Sequence, residues 1–532
     1  MLHTLMADGG MVVAPHHLAA QAGLRVLREG GNAIEAMVAT AAACAVVYPH
    51  MNGLGGDAFW LVARPGRAPL SIEAAGVAGK AVTVDLYRSQ GLDRVPVRGP
   101  LAANTVAGAV SGWASALEIS GQHWDGALPL ARLLEDAIHY AEAGCPRAQS
   151  LAGTTAQVRD QLADLPGFAD LFLEDGAAPA AGASLRNAAL GETLRRLAER
   201  GLGDFYRGEV GRAISAELKA VGSPLVSDDL ASHRSVRRRP LVLKLDHGTV
   251  YNTQPPTQGL ASLMILGLFE RLGVTEAGSF DHAHGLIEAA KVAFAVRDRH
   301  VTDPRYMALH PTTYLSDTML DQSAARIDRR RAAPWPSANG VGDGDTVWMG
   351  CIDNAGRSVS CIQSLYHEFG AGVVLGDTGI LWQNRGTSFQ LDAARPNVLK
   401  PGRRPFHTLN PPMARLPDGA TMVYGTMGGD AQPQVQAQIF TRHVLFGQGL
   451  QEAVTAPRWM LGRTWVGRTD DVKVESRLDP AVISALEAAG HTVTRLGPFD
   501  EVTGHAGAIV RRPDGVLEGA TDPRADGVVA GY

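Results

Sequence analysis

The sequence predicts a large α/β protein in which helices and strands share an extensive core. Hydrophobic residues make up 45% of the 532 residues and charged residues 19%, below the roughly 25% that is usual in globular chains. Helical patterns dominate the early part of the chain, whereas strand-like runs cluster towards its end. The length allows about three domains or one large unit.

The helices are predicted from apolar periodicity and from stop signals. Across Pro15–Asn32 apolar residues recur with a period of about 3.6 until Gly30-Gly31 ends the pattern. The next segment, Ala33–Val47, is alanine-rich and apolar on nearly every side, which indicates a helix buried beneath a sheet. Amphipathic helices are also expected at Leu130–Glu142 and Ala283–His300.

Strands are predicted where short apolar runs lie between turn-rich segments. They are expected at Phe59–Ala63, Thr346–Ile352, Ser358–Ile362, Met422–Tyr424 and Ala508–Arg511. The segment Arg326–Asp345 is charged and then rich in Pro, Ala, Asn and Gly, which is typical of an exposed loop or linker.

Composition also limits the partners and the compartment. The net charge of −5 gives no electrostatic reason to expect binding to nucleic acid or to a membrane surface. The four cysteines form no C-x-x-C pair, so we expect buried thiols in a reducing compartment. No signal-peptide pattern is visible, and no apolar run reaches the roughly 20 residues of a membrane span. A soluble, cytoplasmic protein is expected.

Common catalytic motifs are absent from the sequence. There is no G-x-S-x-G elbow, P-loop, H-E-x-x-H or strand-linked G-x-G-x-x-G. His16-His17 and the His282/His284 pair are too isolated to predict a metal site, so core or surface histidines are expected. No cofactor and no metal is predicted. The arginine runs Arg237–Arg239 and Arg329–Arg331 are read as solvated loops.

Several individually weak motifs occur in order along nearly the whole chain, and together they resemble the gamma-glutamyltransferase family. They are Gly30–Ala36, Pro49–Gly56, Asp204–Gly208, Gln254–Gly259, Ile287–Phe294 and the ending Gly519–Arg524 to Gly531-Tyr532.

The resemblance implies the four-layer αββα sandwich of the N-terminal-nucleophile hydrolases. It further implies a single precursor that cuts itself between Asp345 and Thr346. Residues 1–345 would form a large subunit and residues 346–532 a small one, together making one αββα unit. The expected partner of each product is therefore the other product, with a dimer of these heterodimers left open.

The expected nucleophile is Thr346. A threonine hydroxyl attacks poorly unless a base removes its proton, and an α-amine with a pKa of roughly 7.7–8 can be that base once the preceding bond is broken. We expect the scissile bond at an exposed, flexible site supplied by the linker. The alternative is an ordinary β-branched residue that opens a strand.

Two further catalytic positions are implied by the resemblance. Gly428 and Gly429 match the paired glycines whose backbone amides stabilise the developing oxyanion, and Ser364 matches a hydroxyl that supports the nucleophile. The alternatives are a glycine turn after a strand and a serine without a catalytic role.

The sequence departs from the family pattern in the substrate pocket. The segment Ser71–Val77 lacks the arginine that holds the α-carboxylate of glutamate, and Ser388 replaces the acidic residue for the α-ammonium group. Tyr366 replaces an asparagine and His407-Thr408 replaces a pair of serines, while Arg385 is gained. The Thr-Thr-His at the cleavage point becomes Thr346-Val347-Trp348, which leaves the details of processing open.

These changes predict a small-molecule amide that carries a carboxylate and no α-ammonium group. Arginine suits a carboxylate, whereas an unpaired buried charge costs several kcal/mol. The pattern resembles family members that hydrolyse oxamate in purine-derived nitrogen catabolism, with the carboxylate on Arg385 and the amide carbon at Thr346. The alternatives are a surface ion pair for Arg385, a gamma-glutamyl hydrolase or transferase, an acylase for a dicarboxylyl amide, and a non-enzymatic relic.

Overall fold

Two seven-stranded sheets lie face to face at the centre of the protein. The computed structural model describes residues 3–335, 345–462 and 471–532, with the backbone only at Asp345. The strands are β1 (Leu5–Ala7), β2 (Gly10–Ala14), β3 (Asp57–Ala63), β4 (Leu70–Ala74), β5 (Cys145–Pro146), β6 (Ser184–Leu185), β7 (Val236–Arg238), β8 (Leu241–Leu245), β9 (Gly248–Asn252), β10 (Asp345–Asp353), β11 (Ser358–Tyr366), β12 (Met413–Arg415), β13 (Thr421–Thr426), β14 (Trp459–Leu461), β15 (Val472–Glu475), β16 (Val493–Leu496), β17 (Ala506–Arg511), β18 (Leu517–Thr521) and β19 (Val528–Gly531).

Helices flank both sheets. They are α1 (His17–Arg28), α2 (Ala33–Val47), α3 (Val84–Arg88), α4 (Ala109–His123), α5 (Leu130–Ala143), α6 (Gln149–Leu162), α7 (Phe168–Phe172), α8 (Ala188–Arg200), α9 (Asp204–Arg207), α10 (Glu209–Val221), α11 (Ser227–Ser232), α12 (Gly259–Arg271), α13 (Phe280–His300), α14 (Asp317–Ala324), α15 (Ala431–Phe440), α16 (Leu450–Thr455) and α17 (Pro480–Ala488).

The sheets are antiparallel and combine strands from distant parts of the chain. Sheet I has the order β1-β18-β17-β13-β12-β9-β8, and sheet II has the order β19-β2-β10-β11-β3-β4-β7. Helices including α1, α2, α4 and α5 share a core with sheet II, whereas α12, α13 and α15 share one with sheet I. A third core, which includes Phe59, Trp348 and Ile509, lies between the sheets. The four-layer αββα sandwich is confirmed.

Alternation along β10 assigns its side chains to the two faces of sheet II. Val347, Met349 and Cys351 belong to the core that sheet II shares with its helices. Trp348 and Ile352 instead belong to the core between the sheets. Trp348 occupies the space over Gly425, where an added Cβ would lie 2.2 Å from the indole. The first residues of β10 therefore lie at the edge of a fully packed inter-sheet core.

Most predicted elements are confirmed, with shifted ends. Helix α2 has the predicted bounds and is buried along its whole length, and α1 ends before Gly30, whose φ is +91°. The predicted strands are all present, although β3 begins earlier, at Asp57, and β11 continues to Tyr366.

The amphipathic pattern expected for α13 is wrong. Most of the helix is buried, including its charged residues Glu288, Lys291 and Arg297. Glu288 pairs with Lys291, and Arg297 pairs with Asp430 of the neighbouring α15 region. Charged side chains can be buried here because each has an opposite charge within hydrogen-bonding distance.

Only part of the predicted linker, Arg326–Asp345, lies within the residues that the structure describes. Within 326–335 most residues are exposed, as predicted, whereas 336–344 lie outside the described residues. All four cysteines are free and buried, which confirms the expected buried thiols. Across the described parts of the chain, each helix is too short or too polar to cross a bilayer.

Trp348→Ala should strongly destabilise the sandwich. Removing a buried aromatic side chain leaves a cavity between the sheets and typically costs about 3–5 kcal/mol of the free energy of unfolding. The indole Nε1 also donates to Ser360 Oγ at 2.9 Å. Thermal unfolding should show a clearly lowered midpoint, with Val242→Ala on the exposed face of β8 as control. Equal midpoints for the two variants would contradict this account of the inter-sheet core.

Candidate active site

The predicted nucleophile lies beside the predicted supporting hydroxyl. Thr346 Oγ1 donates a 3.1 Å hydrogen bond to Ser364 Oγ on the neighbouring strand β11, and the backbone N–H of Tyr366 donates to the same oxygen. The β10–β11 register shifts between Asp345 and Val347, so Thr346 sits at an irregularity in the ladder. The structure thus brings Thr346 and Ser364 together at the end of two central strands.

The expectation that the Asp345–Thr346 bond is exposed is wrong on the Thr346 side, because Thr346 is only 1% exposed. Attack by a residue on its own preceding carbonyl is intramolecular, and therefore needs no access from solvent. Exclusion of water also strengthens the electrostatic interactions at the reacting atoms.

Gly428 and Gly429 adopt backbone conformations that favour glycine, with φ values of +107° and +51°. They lie just before α15, whose first residue is Ala431. Neither amide N–H donates to an acceptor in the described portion of the chain. Free amides next to a helix N-terminus are suited to bind a developing negative charge.

A buried network links these glycines to the substrate side of the site. Gln258 Nε2 donates to the carbonyls of Gly429 at 2.7 Å and Thr408 at 2.8 Å. Arg297 Nη1 donates to Gln258 Oε1 at 2.8 Å and to Asp430 Oδ1 at 2.7 Å. The Gln258 amide therefore links the Gly429 side of the site to the Thr408 side.

Arg385 is completely buried, which excludes the surface ion pair considered from the sequence. Its guanidinium stacks on the ring of Tyr366, 3.5 Å from the ring centroid, and Nη2 donates to Thr408 Oγ1 at 3.3 Å. Nε and Nη1 have no partner among the residues that the structure describes. Burial lowers the pKa of Arg385 to about 10, so it stays charged at neutral pH.

The other predicted pocket residues divide into two groups. Tyr366 and Thr408 contact Arg385 directly. The Ser388 hydroxyl instead lies 3.0 Å from the carbonyl oxygens of Arg385 and Phe406. Its hydrogen bonding therefore links the backbone at Arg385 to the backbone at Phe406.

His407 is held by a buried acid that the sequence analysis missed. His407 Nε2 lies 2.9 Å from Asp57 Oδ2, and both residues are fully buried or nearly so. Asp57 Oδ1 accepts hydrogen bonds from the backbone N–H groups of Gly76 and Gly108 and from Gln383 Nε2. Asp57 is therefore a buried acid near the pocket that the sequence analysis did not identify, at a different position from Ser388.

Electrostatics distinguish the two members of this pair. Burial raises the pKa of Asp57 to about 7, although its hydrogen bonds and Arg385 lower it in part. Burial and then Arg385 hold the pKa of His407 well below its ordinary value. A usable signal existed in the sequence, since Asp57 is an acid that opens an otherwise apolar strand after the Gly55-Gly56 turn.

The structure also groups residues that the sequence left apart. His284, Glu288 and His491 place possible ligand atoms within 4.8 Å of one another. His284 Nδ1 lies 2.9 Å from His491 Nε2, while Glu288 accepts from Lys291 Nζ at 2.7 Å and from the Ala333 N–H. Lys291 already neutralises Glu288, so a divalent cation would bring uncompensated charge into a buried cluster.

The αββα sandwich is the fold of the N-terminal-nucleophile hydrolases. The chain belongs to the gamma-glutamyltranspeptidase family, whose model matches residues 19–532. It is 54% identical over 523 residues to the oxamate amidohydrolase proenzyme of Klebsiella pneumoniae, covering 98% of each chain. It is 40% identical to a glutathione hydrolase-like proenzyme of Bacillus subtilis, again with 98% of each covered. Cephalosporin acylase of Bacillus halodurans is 34% identical, with a TM-score of 0.91 over 100% of this chain and 97% of that one.

Gln258→Leu should loosen the link between the two sides of the site. The carbonyls of Gly429 and Thr408 would each lose one buried donor, and Arg297 Nη1 would lose an acceptor. A hydrogen bond to a charged group contributes about 1.5–3 kcal/mol. The matched control is Gln254→Leu, because the Gln254 amide makes one solvent-exposed hydrogen bond, to the Arg239 carbonyl. Urea unfolding should destabilise the first variant by about 2 kcal/mol or more and leave the control near wild type. Equal stability of both variants would be inconsistent with the linking role.

Proposed function

We propose that this protein is an autoprocessed N-terminal-threonine amidohydrolase that cleaves a small carboxylate-bearing amide such as oxamate, releasing ammonia and oxalate. The observation that carries the substrate class is the buried Arg385, whose Nε and Nη1 lack partners in the described residues. Identity to a relative named for oxamate hydrolysis supports the same substrate.

Self-cleavage is the first step of the proposed mechanism. Thr346 Oγ attacks the carbonyl carbon of Asp345, the peptide bond becomes an ester, and water hydrolyses that ester. The products are a large subunit of residues 1–345 and a small subunit that begins with Thr346. The proenzyme names of two relatives and the hydrogen bond from Thr346 to Ser364 support this step.

Turnover then uses the new chain end. The α-amine of Thr346 takes the hydroxyl proton as Oγ attacks the amide carbon of the substrate. The amides of Gly428 and Gly429 stabilise the oxyanion. The protonated α-amine then gives its proton to the leaving nitrogen, and collapse of the tetrahedral intermediate expels ammonia. Water, activated by the same amine, hydrolyses the acyl ester, releases oxalate and restores the threonine hydroxyl.

The pocket favours a small anion over a gamma-glutamyl group. Arg385 offers a cation for one carboxylate, while Tyr366 covers one face of its guanidinium. Asp57 is the acidic group nearby, but both of its carboxylate oxygens already accept hydrogen bonds. An α-ammonium group would therefore find no free carboxylate oxygen on Asp57. Four free, buried cysteines support a reducing, cytoplasmic location, where oxamate hydrolysis would serve purine-derived nitrogen catabolism.

Thr346→Ala should leave one intact chain and abolish ammonia release, because both processing and turnover need the hydroxyl. Thr346→Ser keeps a hydroxyl and should still yield two subunits. Ser364→Ala should process and turn over more slowly, since it removes the hydroxyl that accepts from Thr346. Denaturing gels and an ammonia assay measure both events. Ammonia release by uncleaved Thr346→Ala would refute the mechanism.

Arg385→Met should discriminate between charged and uncharged amides. Without the cation, kcat/KM for oxamate should fall about 100-fold or more, as loss of a buried charge-assisted contact typically costs about 3–5 kcal/mol. Turnover of uncharged propionamide, however slow, should change much less. The wild-type enzyme is also assayed with glutamine, glutathione and succinamate. Preferred hydrolysis of glutathione, measured as release of glutamate, would instead favour a gamma-glutamyl hydrolase, and preferred ammonia release from succinamate would favour a dicarboxylyl-amide acylase.

A further inference from the structure

The Asp57–His407 pair is buried beside Arg385, and the proposed chemistry at Thr346 does not use it. His407 Nε2 and Asp57 Oδ2 lie 2.9 Å apart and are hydrogen-bonded to each other. The other ring nitrogen, His407 Nδ1, is buried and has no partner in the described part of the chain. Other buried histidines also have unpartnered nitrogens, but His407 lies beside Arg385, whose Nε and Nη1 are unpartnered among the described residues as well. Unpartnered donors and acceptors grouped in this way point to a ligand.

The surroundings fix His407 rigidly. Its backbone N–H donates to the Pro256 carbonyl, and its own carbonyl accepts from the Gln258 N–H. Its ring packs edge-on against Phe59, with the centroids 4.9 Å apart. The next residue, Thr408, accepts the hydrogen bond from Arg385. His407 is therefore anchored on both sides next to the guanidinium.

The charges of the site show why a second positive group besides Arg385 is needed to bind a carboxylate. Arg385 carries one positive charge and ionised Asp57 one negative charge, and both are completely buried. The two are close enough that each shifts the pKa of the other. A substrate carboxylate would add a negative charge that nothing balances, which costs several kcal/mol in a buried site.

We propose that His407, protonated at Nδ1, binds the substrate carboxylate together with Arg385, and that Asp57 is the positioning residue that lets the pair take up this proton. The inference rests on the proposed function, because it takes the substrate to be a carboxylate at Arg385. One proton stays between Nε2 and Oδ2, and the proton gained from solvent forms the new Nδ1–H donor. The bound state is then electrically balanced.

The other groups around the pair do not offer the same compensation. Tyr366 on β11 lies under Arg385, and Tyr206 on α9 is close enough for Asp57 to raise its pKa. Glu73 on the adjacent β4 is paired with Arg238. After cleavage the α-amine of Thr346 also titrates in the neutral range, with a pKa of roughly 7.7–8. The experiment must therefore separate uptake by this amine from uptake by the pair.

The sign of the pH dependence follows from linkage. An anion that binds better to the protonated pair raises the pKa of the pair, so binding takes up protons and is favoured at low pH. Burial already raises the pKa of Asp57 to about 7. Affinity should therefore fall as pH rises above about 7, by up to about tenfold per pH unit.

Isothermal titration of the processed enzyme with oxalate tests the proposal without turnover. Titrations at about pH 8 in two buffers of different protonation enthalpy give the number of protons taken up, and about one per oxalate is expected. His407→Gln and Asp57→Asn should each reduce that number towards zero and flatten the pH dependence of Kd. His282→Gln is the matched control, because His282 is an equally buried histidine that hydrogen-bonds Thr441 in the other helical core.

The outcomes separate this inference from the proposed function. Uptake that persists in both variants would belong to the Thr346 α-amine and would overturn the proposal, as would oxalate binding without proton uptake. Subunit gels and thermal midpoints show whether each variant folds. A single folded variant, either His407→Gln or Asp57→Asn, is enough to test the proposal. Ammonia release from oxamate is measured separately. An enzyme that hydrolyses oxamate without proton-linked binding contradicts only the inference, whereas one that binds oxalate with proton uptake but leaves oxamate intact contradicts only the proposed substrate.

Discussion

The burial of Thr346 between two sheets is the constraint on which the other features of the site depend. The residue is 1% exposed, and its hydroxyl donates to Ser364 across the central strands β10 and β11. Such a position is built only when strands from distant parts of the chain assemble, because β10 pairs with β2 on one side and with β11 on the other. The sandwich therefore holds the hydroxyl of the proposed nucleophile in one orientation.

The site brings together opposite charges that would each be costly alone. Arg385, Asp57, Arg297 and Asp430 are buried, and each lies near an opposite charge. The Arg297–Asp430 pair is satisfied within the protein and supports Gln258. Arg385 differs, because two of its nitrogens lack partners among the described residues. Two unpartnered nitrogens on a fully buried cation support the proposed binding site.

Features set by local sequence could be predicted, whereas those set by tertiary contacts could not. Helix α2 followed from an alanine-rich run that is apolar on nearly every side, and strands β10 and β11 followed from short apolar runs. Thr346, Ser364 and Arg385 were reached through family resemblance. Asp57 was missed because its partner His407 is 350 residues away in sequence. The burial of α13 was missed because its charges are neutralised by residues that only the fold brings close.

The central claim is that one residue, the first of the small subunit, both attacks and serves as base. Mass spectrometry of active enzyme, quenched in acid during turnover of oxamate, tests it most directly. The account predicts a transient acyl group on the peptide that begins with Thr346, with that residue at a free chain end. An acyl group on any other residue, or active enzyme in which the Asp345–Thr346 bond is intact, would contradict it.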